Sequence, residues 1–400
     1  MKSSIKCETS YKSAKYLVLI FIVSALLSYS YSLITGRFNG DFLGRPVELS
    51  NFVLVVNLFC SLLPFYITWH IYKKYKSKKR NKRIYIPMNF FGFFILFILV
   101  WHIVVTLLFG VGVMAAPPYE APHFIKPIIQ IMNRLNYSIG ALLYILVSPK
   151  KSRVQFLVVF LFIVIAFLRA GLGVFLYLGM VFLIKYFTEI KLFVSRRKIT
   201  VLAILLIFPF FVSGLYDLRS ELRHDPNEDL PLLHFLFGRL TGRLSSVSDS
   251  AIILQEAEYF KENMTQMDDY YFQKQALGGV FGVKYMPSPR PEQILFWLYC
   301  SRSEMNVAYM PGTQGALFLS YIKSHYTFII NLITYFVLIF LTFWSMRLLK
   351  FEYSNEFALL LLLYVLLSGV PNEYSFQIFS ILVYVLVFGL YNSLKKVCLK

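Results

Sequence analysis

The sequence predicts an all-α polytopic membrane protein with about ten transmembrane helices and one large, mostly helical extracytoplasmic loop. Three observations carry this. First, 58% of the 400 residues are hydrophobic and only 15% are charged, against roughly 25% charged in soluble domains. Second, the apolar residues fall in runs long enough to cross a bilayer. Third, the basic residues cluster between those runs on alternate sides, as the positive-inside rule requires.

The first run, Tyr16 to Ile34, follows Lys2, Lys6, Lys12 and Lys15. It is long enough to span and has no small-residue cleavage pattern, so it reads as a signal anchor. Further runs lie near 51–71, 88–113, 125–148, 153–168, 171–187, 199–215, 326–348, 356–370 and 375–393. Only Arg169-Ala170 separates the fifth from the sixth. They read as a hairpin of two spans, because one unbroken span of about 35 residues would overshoot the bilayer. With the N-terminus inside, the run KKYKSKKRNKR (Lys73 to Arg83) falls on the cytoplasmic side, and the short outer loops are nearly free of positive charge. Both termini come out cytoplasmic. The organisation expected is 1–215 with seven spans, a loop over 216–325, and three spans over 326–400.

The loop carries 13 acidic and ten basic residues and is too long for a linker, so it should fold against the bundle. Within it, Leu230 to Tyr259 reads as helix. Gly278, Gly279, Gly282, Pro287, Pro289 and Pro291 mark an irregular stretch. The apolar patch Ala316 to Tyr321 reads as lying on the membrane surface.

A net charge of +19 is compatible with nucleic-acid binding. Here, however, the cations sit between apolar runs with no stacking aromatics among them, so topology explains them better and no nucleic acid is expected. Cys7, Cys60, Cys300 and Cys398 are scattered, which signals neither a disulfide framework nor a zinc site. No Walker motif, metal-ligand spacing or GxSxG occurs, and no cofactor is expected.

The candidates for chemistry are charges where charge is costly. Arg169 sits at the outer end of the fifth span, in FLRAGLG. Its glycines allow a tight turn and close approach to a ligand, and a guanidinium can fork onto phosphate oxygens. The alternative is an arginine snorkelling from a helix end. Arg239 and Arg243, in GRLTGRLSS, share a helix face by their spacing of four, with Gly238 and Gly242 beside them. An anion between them would offset their repulsion; the alternative is a solvated face paired with Asp249 or Glu256. Arg134 lies inside the fourth apolar run, between Asn133 and Asn136. Burying it in lipid costs ~2.5 kcal/mol or more, so it should face a polar cavity or pair with an acid. Glu304, Glu221, Glu256, Glu258 and Glu373 are possible bases, with His224 and His234 also near the outer face. A solvated charge or a hydrogen-bonded histidine is the plainer reading of each. His102, in the third span, reads as a hydrogen-bonder within the bundle.

These residues and their order resemble the Wzy-type O-antigen or oligosaccharide repeat-unit polymerases, relatives of the O-antigen ligases and of the GT-C glycosyltransferases. The residues that carry it are the arginine hairpin FLRAGLGVFLYL, the loop arginines of FGRLTGRLSS and a Tyr-x-x-Gly-x-x-Gly patch from Tyr309 to Gly315. The resemblance implies a GT-C-like enzyme of the bacterial inner membrane that acts in lipopolysaccharide biosynthesis without metal. It would transfer a growing glycan from undecaprenyl diphosphate to an undecaprenyl-diphosphate-linked repeat unit at the periplasmic face. Arg169, Arg239 and Arg243 would stabilise the leaving diphosphate, and Glu304 would take the acceptor proton. Arg134, His224 and Glu373 would bind substrate. Membrane lipids, a chain-length regulator and a flippase are the implied partners. The family pattern places an acid nearer the Tyr-x-x-Gly patch, where this chain has Val307. A ligase shares the donor, but its loop histidine motif has no match around His224 or His234. A flippase or transporter usually has short loops and internal repeats, unlike this chain, and the outer-face arginines argue against a non-catalytic scaffold.

Overall fold

A computed structural model describes residues 2–77, 84–113, 120–150, 152–169, 171, 173–204, 206–207, 210, 214, 238, 241–242, 244–282, 285–300 and 309–398. Among them there is no β-strand, only the isolated bridges Arg37–Pro46 and Ile84–Leu349.

The first half contains α1 (Lys2–Thr35), α2 (Asn51–Ser77), α3 (Met88–Phe109), α4 (Lys126–Arg134), α5 (Tyr137–Val147), α6 (Arg153–Leu168), α7 (Gly173–Lys185) and α8 (Phe187–Arg196). The second half contains α9 (Val247–Gln255), α10 (Ala257–Thr265), α11 (Tyr271–Phe281), α12 (Pro291–Trp297), α13 (Gly312–Lys323), α14 (His325–Leu348), α15 (Ser354–Leu361) and α16 (Pro371–Cys398). Among the described residues five helices, α1, α2, α3, α14 and α16, are long and apolar enough to cross a bilayer. The chain is thus built as a helical membrane protein. Their outward faces are apolar, with Phe93, Phe97, Leu107, Phe59 and Ile333 exposed. That is unfavourable in water and expected against lipid.

The remaining apolar runs are shorter than the sequence suggests. At 1.5 Å per residue, α5, α6 and α7 reach only about 16, 24 and 20 Å, less than the ~30 Å hydrocarbon thickness. α7 and α8 meet at 91°. α6 ends before Arg169 and α7 starts at Gly173 in contact with α6, so the break falls where the sequence places it, but neither helix alone is long enough to be a span. α15 continues as a π-helical turn over Leu362–Leu367. Of the run 199–215, residues 205, 208–209, 211–213 and 215 lie outside the described residues.

Two expectations are corrected. The run 125–148 is not one span. Leu135 is extended, and the Asn136 side chain accepts from the Ser138 and Ile139 N–H groups at 3.0 and 3.3 Å. This N-cap starts a new helix, and local capping overrides the apolar composition. Ala316–Tyr321 does not lie along the membrane surface either: α13 packs against α9, α10, α14 and α2, with Ala316, Leu317, Leu319 and Ser320 buried.

The described part of the long loop packs on the bundle. α11 lies along α16, with Gly279 against Ser375, and α9 touches α1 and α2. The helix expected over Leu230 to Tyr259 breaks where Ser246 takes φ +52° and again at Glu256. Ser246 Oγ donates to the Ser368 carbonyl at 2.8 Å, and the Ser368 hydroxyl to that of Leu244 at 2.7 Å. Gly312, at φ +61°, presses onto Ser246 and the Leu367 carbonyl. The glycine of the Tyr-x-x-Gly patch thus bolts loop to bundle.

Candidate functional site

Arg169 caps α6. Its N–H reaches the Ile165 carbonyl at 3.0 Å, and the Gly171 N–H closes the turn on Ala166 at 2.9 Å. The reversal into α7 turns the arginine inward, leaving it 9% exposed. It does not snorkel.

Three groups hold the guanidinium. Nε donates to Thr106 Oγ1 and Nη2 to His102 Nδ1, both at 3.0 Å, and the Tyr137 ring centre lies 5.0 Å from Cζ. Gly112 closes in behind: at φ +79°, a Cβ there would come within 2.8 Å of Arg169 Cζ. His102 and Thr106 are one turn apart on the same face of α3. Arginine has no acceptor, so His102 Nδ1 must offer a lone pair and the imidazole is neutral, with its hydrogen on Nε2. The Thr106 hydroxyl donates to Val111 O at 2.9 Å, which directs its lone pairs towards the arginine.

These partners are all neutral. Among the described residues no carboxylate lies within 4.0 Å of the Arg169 guanidinium. A buried, uncompensated cation is costly, and among the described residues the side-chain bonds to Thr106 and His102 leave part of the five-donor group over for a ligand. The guanidinium borders a cavity of about 180 Å³, lined also by His102, Tyr137, Asn133, Asn136, Glu373 and Phe376. This is less than the ~300–1,000 Å³ typical of drug-sized ligands, so it suits a headgroup-sized anion. Glu373 is exposed and lies in the first turn of α16, where the helix dipole favours a carboxylate.

Of the residues singled out in the sequence, Arg169 and Glu373 come together in this lining from opposite halves of the chain. Arg134 does not join them. It ends α4 instead of sitting within a span, and a Cβ on Gly282 would be 3.4 Å from its Nη2, so it faces the end of α11. Glu304, Arg239, Arg243 and His224 lie outside the described residues, as do Glu221 and His234. Near the two loop arginines, Gly242 packs against Gly40, Asn39 donates to Thr241 Oγ1 at 2.8 Å, and Asp249 is buried. Glu256 accepts from the Tyr299 hydroxyl at 3.4 Å, and Glu258 is exposed beside Lys261.

Sequence reasoning missed the arginine's cradle. Its signal was His102 and Thr106 at a spacing of four in an otherwise apolar helix, followed by Gly110 and Gly112. It also missed Glu292, which is 2% exposed. The Gln275 amide donates to Glu292 Oε1, and Oε2 has no hydrogen-bond partner among the described residues. The Glu292 carbonyl accepts from the Tyr309 N–H at 3.1 Å. Glu292 is thus an acid beside the Tyr-x-x-Gly patch, reached through space instead of at position 307. Burial pushes its carboxyl above the ordinary 4.5.

Compared with protein-family models, curated proteins and solved structures, the chain shows no match. Fold and site define a class: a helical membrane protein with a buried arginine, held by neutral partners, at a small cavity near one end of its bundle.

Proposed function

We propose that this chain is a membrane glycosyltransferase of the polysaccharide-polymerase type, acting on lipid-diphosphate-linked glycans. The observation that carries the reading is Arg169, buried and without a carboxylate partner among the described residues, bordering a cavity that Glu373 also lines. A preorganised cation in a low-dielectric site stabilises charge that develops on a leaving group. A carboxylate at the same cavity takes a proton.

In the reaction, the acceptor sugar hydroxyl attacks the anomeric carbon of the donor glycan. The new C–O bond forms as the bond from that carbon to the diphosphate oxygen breaks. The lipid diphosphate leaves with the electron pair, facing Arg169, and the hydroxyl proton passes to Glu373. Glu373 takes the base role here because it lines the cavity. Arg239 and Arg243 are proposed to add to the anion site. In this reading the cavity opens at the periplasmic face of a bacterial inner membrane, both termini are cytoplasmic, and undecaprenyl diphosphate is the lipid carrier.

The test is deletion of the gene in its host, with the lipopolysaccharide displayed by gel. A single repeat on the core with the ladder gone supports the polymerase, and complementation by Arg169→Ala should then fail to restore the ladder. Loss of even the single repeat points to a ligase or a flippase and overturns the proposal.

A further inference from the structure

The polar break at Leu135-Asn136 leaves α4 as a separate amphipathic helix, and its geometry assigns it a partner. Around its axis Ile125, Ile129 and Met132 point one way. Ile128 and Ile131 form an adjoining edge, continued by Phe124 in the preceding turn. Lys126, Gln130, Asn133 and Arg134 take the remaining arc. The first set faces protein: Ile129 is fully buried against Val105 and Val111, with Ile125 packed on the same cluster. The adjoining edge is uncovered, with Phe124 76%, Ile128 49% and Ile131 64% exposed.

We propose that α4 lies in the interfacial plane of the bilayer, with the Phe124–Ile128–Ile131 edge inserted among lipid chains. Two observations commit this edge to lipid. It is continuous with an apolar surface already assigned to the membrane, because α4 packs on the last turns of α3. There the spanning helix exposes Val104, Leu107 and Leu108. In addition, Lys126 is exposed on the polar arc of the same helix, as suits a cation at the level of lipid phosphates. The α4 C-terminus runs into Asn133, Leu135 and Asn136, which line the Arg169 cavity. Seating α4 in the interface therefore fixes that cavity at headgroup depth, whatever reaction it serves.

The test uses the full chain in phosphatidylcholine–phosphatidylglycerol liposomes. Cys7, Cys60, Cys300 and Cys398 are replaced by serine, and spin labels are placed singly at Lys126→Cys, Ile128→Cys, Gln130→Cys and Ile131→Cys. Labels at 128 and 131 should collide with oxygen far more than with a water-soluble nickel chelate, at a depth of about 5–10 Å below the interface. Labels at 126 and 130 should show the reverse. Equal access of the chelate to all four would make α4 a solvated helix and overturn the proposal. Protection of 128 and 131 from both reagents would mean a protein cover, such as a second copy, and would overturn it too. If the cysteine-free chain does not fold, benzoylphenylalanine at Ile128 in the native-cysteine chain reads the same point. Lipid adducts support the proposal, and adducts at twice the chain's mass overturn it.

Discussion

Charge is buried at both ends of this bundle, and on opposite terms. At one end Glu356, 1% exposed, accepts hydrogen bonds from Ser10, from the Tyr72 hydroxyl at 2.8 Å and from Lys76 Nζ at 2.9 Å, tying α1, α2 and α15 together. All three bonds converge on Oε1, while Oε2 is buried with no hydrogen-bond partner among the described residues, so the charge is compensated by Lys76 through one oxygen. At the other end Arg169 has neutral partners only, among the described residues. Lys185 shows that neutral partners alone do not mark a site. It is buried too, but its three donors meet the carbonyls of Ile145 and Ser148, at the C-terminus of α5, and Gln155 Oε1. Helix-end carbonyls carry partial negative charge, so that lysine is satisfied. Arg169 differs from both in facing a cavity and, among the described residues, in keeping donors over.

Two substitutions test this difference directly. Arg169→Ala should cut transfer by ~10²–10³-fold, the usual cost of removing a group that stabilises developing charge. The melting temperature should hold or rise, because a buried cation without a counter-charge is removed. Glu356→Ala should do the opposite. It strands Lys76 and should cost about 3 kcal/mol of stability, the low end for a broken buried pair because the Lys76 side chain remains 15% exposed. Activity per folded molecule should stay unchanged. Transfer assays and thermal melts on both variants decide the matter. If Arg169→Ala melts early while transfer survives, the two ends are alike and the site assignment fails.

Gly112→Ala sharpens the same comparison without removing any charge. The added methyl would meet the Arg169 guanidinium within 2.8–3.0 Å, so the side chain must shift. A misplacement of ~1 Å can cost up to about 10²-fold in rate, whereas the strain of a non-glycine residue at φ +79° should cost only ~1–2 kcal/mol. Turnover should therefore fall well beyond what the melt explains. The same substitution at Gly110, φ +66° with no atom within 4 Å, carries similar strain and should spare turnover.

The amino-acid pattern made much of this visible, for local reasons. Five long spans follow from unbroken apolar length, and the break between α6 and α7 follows from Arg169-Ala170 between runs too long to be one span. Arg169 itself stood out because charge is rare there. Length failed as a guide where a cap competes with composition: Asn136 splits the fourth run, and nothing in its apolar content says so. The pairing of Arg169 with Glu373 at one cavity was out of reach because it joins α6 to α16, and no periodicity encodes which helices adjoin. Ala316–Tyr321 misled for a related reason, since an apolar patch looks the same whether it faces lipid or a neighbouring helix.

Glu292 offers the smallest effect and a third kind of buried ionisable group, one whose burial favours the neutral form. Its folded pKa is raised above the ordinary 4.5, mainly by burial, with Arg290 and Gln275 opposing and Glu373 adding to the rise. For a carboxyl raised on folding, the stabilising contribution is complete below the unfolded value and is lost as pH climbs through the folded one. Glu292→Gln keeps an acceptor for Gln275 and removes the titration. The variant should therefore melt close to the parent near pH 4.5 and above it at pH 8, with transfer intact if Glu373 alone takes the proton. A gap in melting temperature that does not widen between those pH values would mean that Glu292 ionises like a solvated acid. A loss of transfer would move the base from the cavity wall to the acid beside Tyr309.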